Sequence, residues 1–358
     1  MNRLHPHNSR RNIEESRIRR LFATVLALLS AGIAAIANEP LTDKPDVQVA
    51  TANPWTNLFA GRSTKLDCVV TSQQARDANL FWSLSVDRTV IARGEQAVNL
   101  SPDQPETASL KLRIPDVREG LSLPATLQLS VHPREGSPTF EPVTNIIALR
   151  VFSPDATAHR NEWLKSLDIV LFDPAKRTAD AFERSGIPCR IADEPRCHEL
   201  TTGLVIYGED IEPSQLAATW QAASEAAASG RQVIVLSSPG FSLPSERVLE
   251  SGNQSQLSVS FHRREILTKL DQNLDATSWP VPGRILTSSL HMTAENNVPQ
   301  VQFRNDENGW HWLDARYHSG GRLVWLGFGI IESWNSTPAA RYLLLRIFEH
   351  VSEHRNKE

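Results

Sequence analysis

The sequence predicts a β-sandwich domain followed by an α/β domain with a mainly parallel sheet. Residues 55–152 contain six short strand-like segments separated by clusters of Gly, Pro, Asp and Ser, with no helix-period segment between them. Residues 164–236 then read strand, helix, strand, strand, helix, strand, which is the pattern of a parallel α/β sheet. The length of 358 residues also favours two domains.

The first 37 residues have the pattern of a secretory signal peptide. The basic segment RRNIEESRIRR precedes an uninterrupted apolar run from Leu21 to Ala37, which ends in the small residues Ala35 and Ala37. This pattern predicts export to the periplasm or the extracellular space, with cleavage before Asn38. The alternative is an uncleaved membrane anchor, because the run approaches the ~18 apolar residues that span a bilayer.

Residues 38–54 are rich in Asp, Pro and Thr and are predicted to be a flexible linker. The sandwich follows over 55–152, and residues 153–163 (SPDATAHRNEW) are predicted to connect it to the α/β domain. The predicted sandwich strands are TKLDCVVTS, ANLFWSLSV, RTVIARG, ASLKLRI, ATLQLSVHP and TNIIALRVF.

The α/β domain is predicted over residues 164–352, followed by a tail at 353–358. Its first strand, LDIVLFDP, is a continuous apolar run typical of a strand buried on both faces. Beyond Leu243 the pattern predicts a helix at RREILTKLDQNL and then antiparallel strands, the last of them a hairpin that turns at Ser319-Gly320-Gly321. The closing segment TPAARYLLLRIFEHVSEH predicts a helix with Thr337 as its N-cap.

The interpretation of the three cysteines depends on whether the protein reaches an oxidising compartment. Cys189 and Cys197 flank a short turn-containing segment, and in an oxidising compartment they could form a local disulfide. The alternative is two unpaired buried thiols, and Cys68 is predicted to be a buried thiol. The sequence contains no CxxC pair and no HExxH motif, so we expect neither a metal site nor a cofactor.

Two stretches resemble a known family. LVIYGEDIEPSQLAATWQAASEAAASGRQVIVL and GGRLVWLGFGIIESWNSTPAARYLLLRIFEHV are similar to the centre and the end of class I glutamine amidotransferase-like domains of the type appended to bacterial glycosidases. RIPDVREGLSLPATLQLSV resembles the immunoglobulin-like modules of the same enzymes. The resemblance implies an immunoglobulin-like β-sandwich followed by a flavodoxin-like, amidotransferase-like α/β domain. The chain has no room for the barrel that performs glycoside hydrolysis in those enzymes.

In active members of that family, the strand equivalent to QVIVL ends in a nucleophilic Cys between glycines, and a His-x-Glu pair follows later. Here Ser237 and Ser238 occupy the turn, without flanking glycines at the required positions, and no His-x-Glu pair is present. Pro239 follows Ser238 and has no N–H for an oxyanion hole, so Ser238 is a poor nucleophile candidate. We interpret the turn as lacking a catalytic nucleophile. In the alternative interpretation, a hydrolase, Ser237 is the nucleophile.

Carboxylates at strand ends are the other catalytic candidates. Glu209 and Asp210 follow one predicted strand and Asp173 follows another, at the edge where α/β sheets place ligands. The favoured interpretation is that Glu209 and Asp210 start the next helix, where acidic side chains complement the helix dipole, and that Asp173 forms a turn before Pro174.

Three tryptophans, Trp310, Trp312 and Trp334, could form a stacking surface for sugar rings, but packing in a core or an interface is favoured for at least two of them. The function expected is an exported, non-catalytic binding or assembly protein, associated with carbohydrate, a protein partner or a second copy. The rival is a hydrolase that uses Ser237 or the carboxylates Asp173, Glu209 and Asp210. A net charge of −4 argues against nucleic acid, and membrane contact is expected only through an uncleaved signal segment.

Overall fold

The computed structural model describes residues 46–352 apart from 53–56, 103, 237–241, 245–255, 264, 275–288, 296–297 and 305–308. Val47–Glu358 forms one compact unit, and all elements below belong to it. The predicted signal peptide and its possible anchor function lie outside the described residues. In the part of the chain that is described, no helix is both long and apolar enough to cross a membrane.

Eight strands build the N-terminal part of the unit. They are β1 (Val47–Thr51), β2 (Asn57–Phe59), β3 (Ser63–Ser72), β4 (Arg76–Val86), β5 (Thr89–Leu100), β6 (Glu106–Arg113), β7 (Ser122–Pro133) and β8 (Val143–Phe152). Their sheets have the orders β1-β3-β6 and β2-β8-β7-β4-β5, and every pairing is antiparallel except β2 with β8. Both sheets contribute to one apolar core, so the strand-rich N-terminal part is confirmed.

The prediction of a flexible linker over residues 38–54 is wrong for its C-terminal part, because β1 lies within this range. Val47 and Val49 are buried and alternate with exposed residues, and β1 pairs with β3 in full register. The pattern VQVAT carries the period of two that a half-buried strand requires. The connector is also shorter than predicted, since a helix begins at Asn161.

The C-terminal part alternates helices with strands. Its helices are α1 (Asn161–Ser166), α2 (Arg177–Arg184), α3 (Pro213–Ala228), α4 (Glu265–Leu270) and α5 (Pro338–Ser352). Its strands are β9 (Val170–Phe172), β10 (Arg190–Ala192), β11 (Leu204–Tyr207), β12 (Gln232–Val235), β13 (Ser242–Pro244), β14 (Gln256–His262), β15 (Ser289–Glu295), β16 (Val298–Arg304), β17 (Trp312–Tyr317) and β18 (Arg322–Leu326).

A seven-stranded sheet forms the centre of this part, in the order β10-β9-β11-β12-β18-β17-β14. The first five strands are parallel, and β17 and β14 are antiparallel to their neighbours. A second sheet, β13-β16-β15, is antiparallel. The prediction of a mixed α/β part with a parallel-containing sheet is therefore confirmed.

The central sheet is buried on both faces, which explains its continuous apolar runs. Leu171 and Ile206 face a core that includes α2 and α5, whereas Val170 and Val205 face a core that includes α3. The Thr337 hydroxyl accepts a 3.3 Å bond from the Ala339 N–H at the start of α5, which confirms the predicted cap. The predicted β17–β18 hairpin is also present.

Candidate functional site at the carboxyl edge of the sheet

The chain reverses direction across the central sheet between β9 and β11. It leaves β9 for the edge strand β10 and then returns to β11 on the other side of β9. In open α/β sheets, the carboxyl ends of the strands at such a reversal form the usual ligand crevice. Asp173 and Glu209 follow these two strands, so the predicted candidates lie at the position where a site is expected.

Asp173 lies against the backbone of the neighbouring strand end. Its Oδ2 accepts a 2.8 Å bond from the Ala179 N–H in the first turn of α2, so it caps this helix from a distance. A Cβ on Gly208 would lie 2.6 Å from Asp173 Oδ1, so a glycine is needed there. Burial raises the pKa of the Asp173 carboxyl, although the N–H bonds from the helix oppose this. Asp173 therefore does more than form the turn before Pro174, because its side chain also caps α2.

Glu209 is 0% exposed and holds a loop that lies far along the chain. Its two carboxylate oxygens accept backbone N–H bonds from Ile331 (2.9 Å) and Glu332 (2.8 Å), in the segment between β18 and α5. The Glu209 N–H itself donates to the hydroxyl of the buried Thr178 at 3.0 Å. Burial raises the pKa of Glu209 to about 7, against the lowering effect of the two N–H bonds.

Asp210 has a left-handed backbone, with φ of 65°, which Asp tolerates better than most residues. Its carboxylate forms an ion pair with Arg177, the first residue of α2. The helix α3 begins only at Pro213, and its first turn contains no acidic residue, so it includes neither Glu209 nor Asp210. The prediction that they start the following helix is therefore wrong.

Each of these three carboxylates has a partner within the protein, and Asp173 Oδ1 is a buried oxygen without a hydrogen bond among the described residues. One caps a helix, one binds two backbone N–H groups and one pairs with an arginine, so together they tie α2, the turn after β11 and the β18–α5 segment to each other. The predicted nucleophile candidate, Ser237, and the neighbouring Ser238 lie outside the described residues. In the described ranges, no three His, Cys, Asp or Glu side chains are grouped as metal ligands.

The tryptophans do not form a stacking surface. Trp312 is 0% exposed, and Trp334 is 2% exposed and donates its indole N–H to Ser185 Oγ at 3.0 Å. Trp310 is half-buried, with the Arg263 guanidinium 4.4 Å from the centre of its ring. The core-packing interpretation is confirmed for Trp312 and Trp334, which both belong to the apolar core that includes α5 and are not available to a sugar surface.

Cys189 and Cys197 are free thiols, so the disulfide is not formed in this structure. Cys189 packs against the core that includes α5, whereas Cys197 belongs to the core that includes α3. The two side chains therefore lie on opposite faces of the sheet, separated by β10. Burial raises the pKa of Cys197 to about 11 and that of Cys68 to about 12, which keeps both thiols protonated at neutral pH.

Sequence reasoning did not find a serine–histidine pair beside the same edge. Ser289 Oγ lies 2.8 Å from His311 Nδ1, and His311 O accepts the Gly327 N–H just after β18. The two residues are 22 positions apart, Ser289 at the start of β15 and His311 just before β17, so no local motif marks them. Ser289 is 0% and His311 2% exposed, so the pair has the spacing of a nucleophile and its base without access for a substrate.

Comparison with known proteins gives only distant similarities. No family model matches the sequence, and no curated protein sequence matches it. Among solved structures, the chain is similar to Spo0M, the sporulation control protein of Bacillus subtilis, at 12% identity and a TM-score of 0.25. That match covers 39% of this chain and 56% of Spo0M, so this chain spans little more than half of the other.

Two further structures show the same level of similarity. The CARDB domain of the PF1109 protein from Pyrococcus furiosus has 11% identity and a TM-score of 0.23, covering 31% of this chain and 90% of that domain. A putative beta-galactosidase from Bacteroides fragilis has 9% identity and a TM-score of 0.21, covering 54% of this chain and 39% of the other. At these TM-scores the matches carry no argument about fold or function.

Proposed function

We propose that this chain is an exported, non-catalytic binding or assembly protein. In this proposal an immunoglobulin-like sandwich is joined to a degenerate flavodoxin-like α/β domain of the amidotransferase-like type. The strand order β10-β9-β11-β12-β18 corresponds to 2-1-3-4-5, the order of the flavodoxin-like doubly wound folds, and supports the second half of the proposal.

The proposal that the protein is non-catalytic rests on one observation. At the carboxyl edge where the chain reverses direction, the carboxylates bind other groups of the protein and close the edge. Glu209 has no exposed surface, and both of its oxygens bind backbone N–H groups of the β18–α5 segment. A general acid or base must reach its substrate within hydrogen-bonding distance. Glu209 therefore holds the β18–α5 segment at the position where an active α/β enzyme would keep a crevice.

The first experiment tests for hydrolysis with the full chain. It is incubated with nitrophenyl esters and glycosides and with a fluorophosphonate probe, beside the variants Ser237→Ala and Ser289→Ala. We expect no turnover and no labelling that depends on either serine. Turnover that disappears in Ser237→Ala would establish the rival hydrolase and contradict the proposal.

A second experiment tests for binding or assembly. Sedimentation of the full chain is measured over a range of protein concentrations, alone and with mixed oligosaccharides. We expect either self-association or a bound oligosaccharide. A chain that stays monomeric and binds no saccharide at millimolar concentration would leave the proposed role without support.

A hydrolase remains the second candidate because Ser289 and His311 form a hydrogen-bonded pair next to the edge. A histidine at 2.8 Å is what a serine nucleophile needs as its base. The burial of both side chains opposes this function. Comparison of the Ser289→Ala and Ser237→Ala variants in the first experiment identifies the serine responsible for any activity.

A further inference from the structure

A cavity of about 450 Å³ lies where the connector meets the C-terminal part of the unit. Its wall is formed by residues 154–157 of the connector, the end of α2 with Arg184, and Arg341 from α5. This volume falls within the range of small-molecule pockets, which often occur at the junction of two structural parts. None of the carboxylates of the closed sheet edge lines this cavity.

Arg341 is half-buried in this wall, and its hydrogen bonds among the described residues go to neutral oxygens. Its Nε donates to Trp334 O at 2.9 Å and its Nη1 to Pro154 O at 3.0 Å, so its close acceptors there are neutral. The guanidinium also lies over the Phe59 ring, 5.1 Å from its centre. A charge partly withdrawn from water is normally paired, so a guanidinium that faces a cavity and bonds only neutral oxygens offers a position for a ligand anion.

Two more arginines increase the positive charge around Arg341. Arg62 lies over the same Phe59 ring at 4.8 Å, and Arg184 projects from the last turn of α2 into the cavity wall. Burial lowers the pKa of Arg341, and repulsion from Arg62 and Arg184 lowers it further. Asp155 is the carboxylate that opposes this effect.

The remaining lining is suited to neutral polar groups of a ligand. Asp155 Oδ1 already accepts bonds from the Thr157 N–H and hydroxyl, which fixes the position of its carboxylate. Asn161, at the start of α1, is exposed at the same wall and offers both a donor and an acceptor. Hydroxyl groups of a ligand could bind both side chains.

We propose that this cavity binds a small hydroxylated anion, with its carboxylate or phosphate group held between Arg184 and Arg341. A guanidinium presents its N–H groups as a fork that fits either oxyanion. Hydroxyl groups of the same ligand contact Asp155 and Asn161. This inference rests on the proposed binding function and gives it a ligand class, an acidic sugar or a sugar phosphate.

Calorimetric titration of the full chain tests the inference. The probes are glucuronate for the carboxylate, glucose 6-phosphate for the phosphate, inorganic phosphate for the bare anion and glucose as the neutral control. We expect at least one of the two sugar anions to bind, more weakly as salt is added, and glucose to leave no signal. The preference between the two sugar anions identifies the oxyanion.

Matched variants locate the binding. Arg184→Gln removes one guanidinium that donates to the Asp180 carbonyl on the surface of its own helix, so the fold should be retained. We expect it to weaken binding about 10-fold or more, as loss of one charge-assisted hydrogen bond predicts. Arg134→Gln, in the exposed turn after β7, changes the net charge equally and should leave binding unchanged. Arg341→Gln should abolish binding, with circular dichroism as the check on folding.

Two results would overturn the inference: no binding of any of the anions at millimolar concentration, or binding that Arg184→Gln and Arg134→Gln weaken equally. Either result leaves the proposed function standing if the protein still binds a neutral oligosaccharide or self-associates. Serine-dependent hydrolysis would remove the proposed function without affecting the anion measurement, so the two failures are distinguishable.

Discussion

Substitution of Glu209 by Gln should change how the stability of the protein depends on pH. Glu209 is fully buried, and burial raises its pKa to about 7 from 4.5. A carboxyl whose pKa is higher in the folded state favours folding when it is protonated. Its favourable contribution is complete below about pH 4.5 and is lost as the pH rises through about 7. The amide side chain of the Glu209→Gln variant cannot titrate, so this variant lacks the contribution at every pH.

The shift of 2.5 pKa units between these values corresponds to about 3 kcal/mol, at about 1.36 kcal/mol for each unit. The free energy of unfolding of the wild type minus that of Glu209→Gln should therefore fall by up to this amount between about pH 4.5 and pH 8. The amide also places a donor opposite one of the N–H groups of Ile331 and Glu332, but this penalty is the same at every pH. Only the pH-dependent part reports the ionisation of Glu209.

The assay is urea unfolding followed by tryptophan fluorescence at pH 5, 6, 7 and 8 for both proteins. Other titrating groups are common to the two chains and cancel in the difference. A difference that stays constant over this range would refute the argument, because Glu209 would then have the same pKa in the folded and unfolded states. A difference that rises with pH would mean that the N–H bonds outweigh burial.

Three further predictions concern stability and thiol chemistry. Asp314→Asn should destabilise the protein by about 3 kcal/mol, because it leaves the buried Arg322 without its carboxylate. Asp193→Asn, at an exposed position, is the control. Equal urea midpoints for the two variants would contradict the prediction. Gly208→Ala should lower the free energy of unfolding by about 1–3 kcal/mol, because the added Cβ would lie 2.6 Å from Asp173 Oδ1. The same substitution made in the Asp173→Ala variant should cost less. If the two substitutions prove additive in a double-mutant cycle, this clash is excluded. When the protein is alkylated in denaturant without reductant, mass spectrometry should detect modification of all three cysteines. A single modified cysteine would indicate a disulfide between the other two.

The position of the candidate site could be predicted from the sequence because it depends on local patterns. The apolar runs that end at Phe172 and Tyr207 identify two buried parallel strands, and the polar residues that follow must lie at their carboxyl ends. The adjacency of Asp173 to the turn with Glu209 then follows from the pairing of these strands. No long-range information is needed for this step.

The roles of these residues could not be predicted, because their partners are distant in sequence. The N–H groups that bind Glu209 lie 122 and 123 residues later, in a segment whose own sequence shows no sign of the contact. The short spacing of Cys189 and Cys197 suggested a disulfide. Cys189 precedes β10 and Cys197 follows it, and the two thiols pack in the cores on opposite faces of the sheet. Local spacing indicates which residues are close along the chain, but not the face of the sheet to which their side chains point.

The closed edge and the open cavity are connected through α5 and the segment before it. Glu209 fixes that segment at Ile331 and Glu332, and Arg341 bonds to Trp334 O two residues further on and to Pro154 O of the connector. An anion between Arg184 and Arg341 would relieve the repulsion that acts on Arg341. A ligand that binds only the folded state stabilises it in proportion to the logarithm of its concentration. The bound anion should therefore raise the free energy of unfolding of the wild type, and the loss of this increase in Arg184→Gln would assign the stabilisation to the cavity.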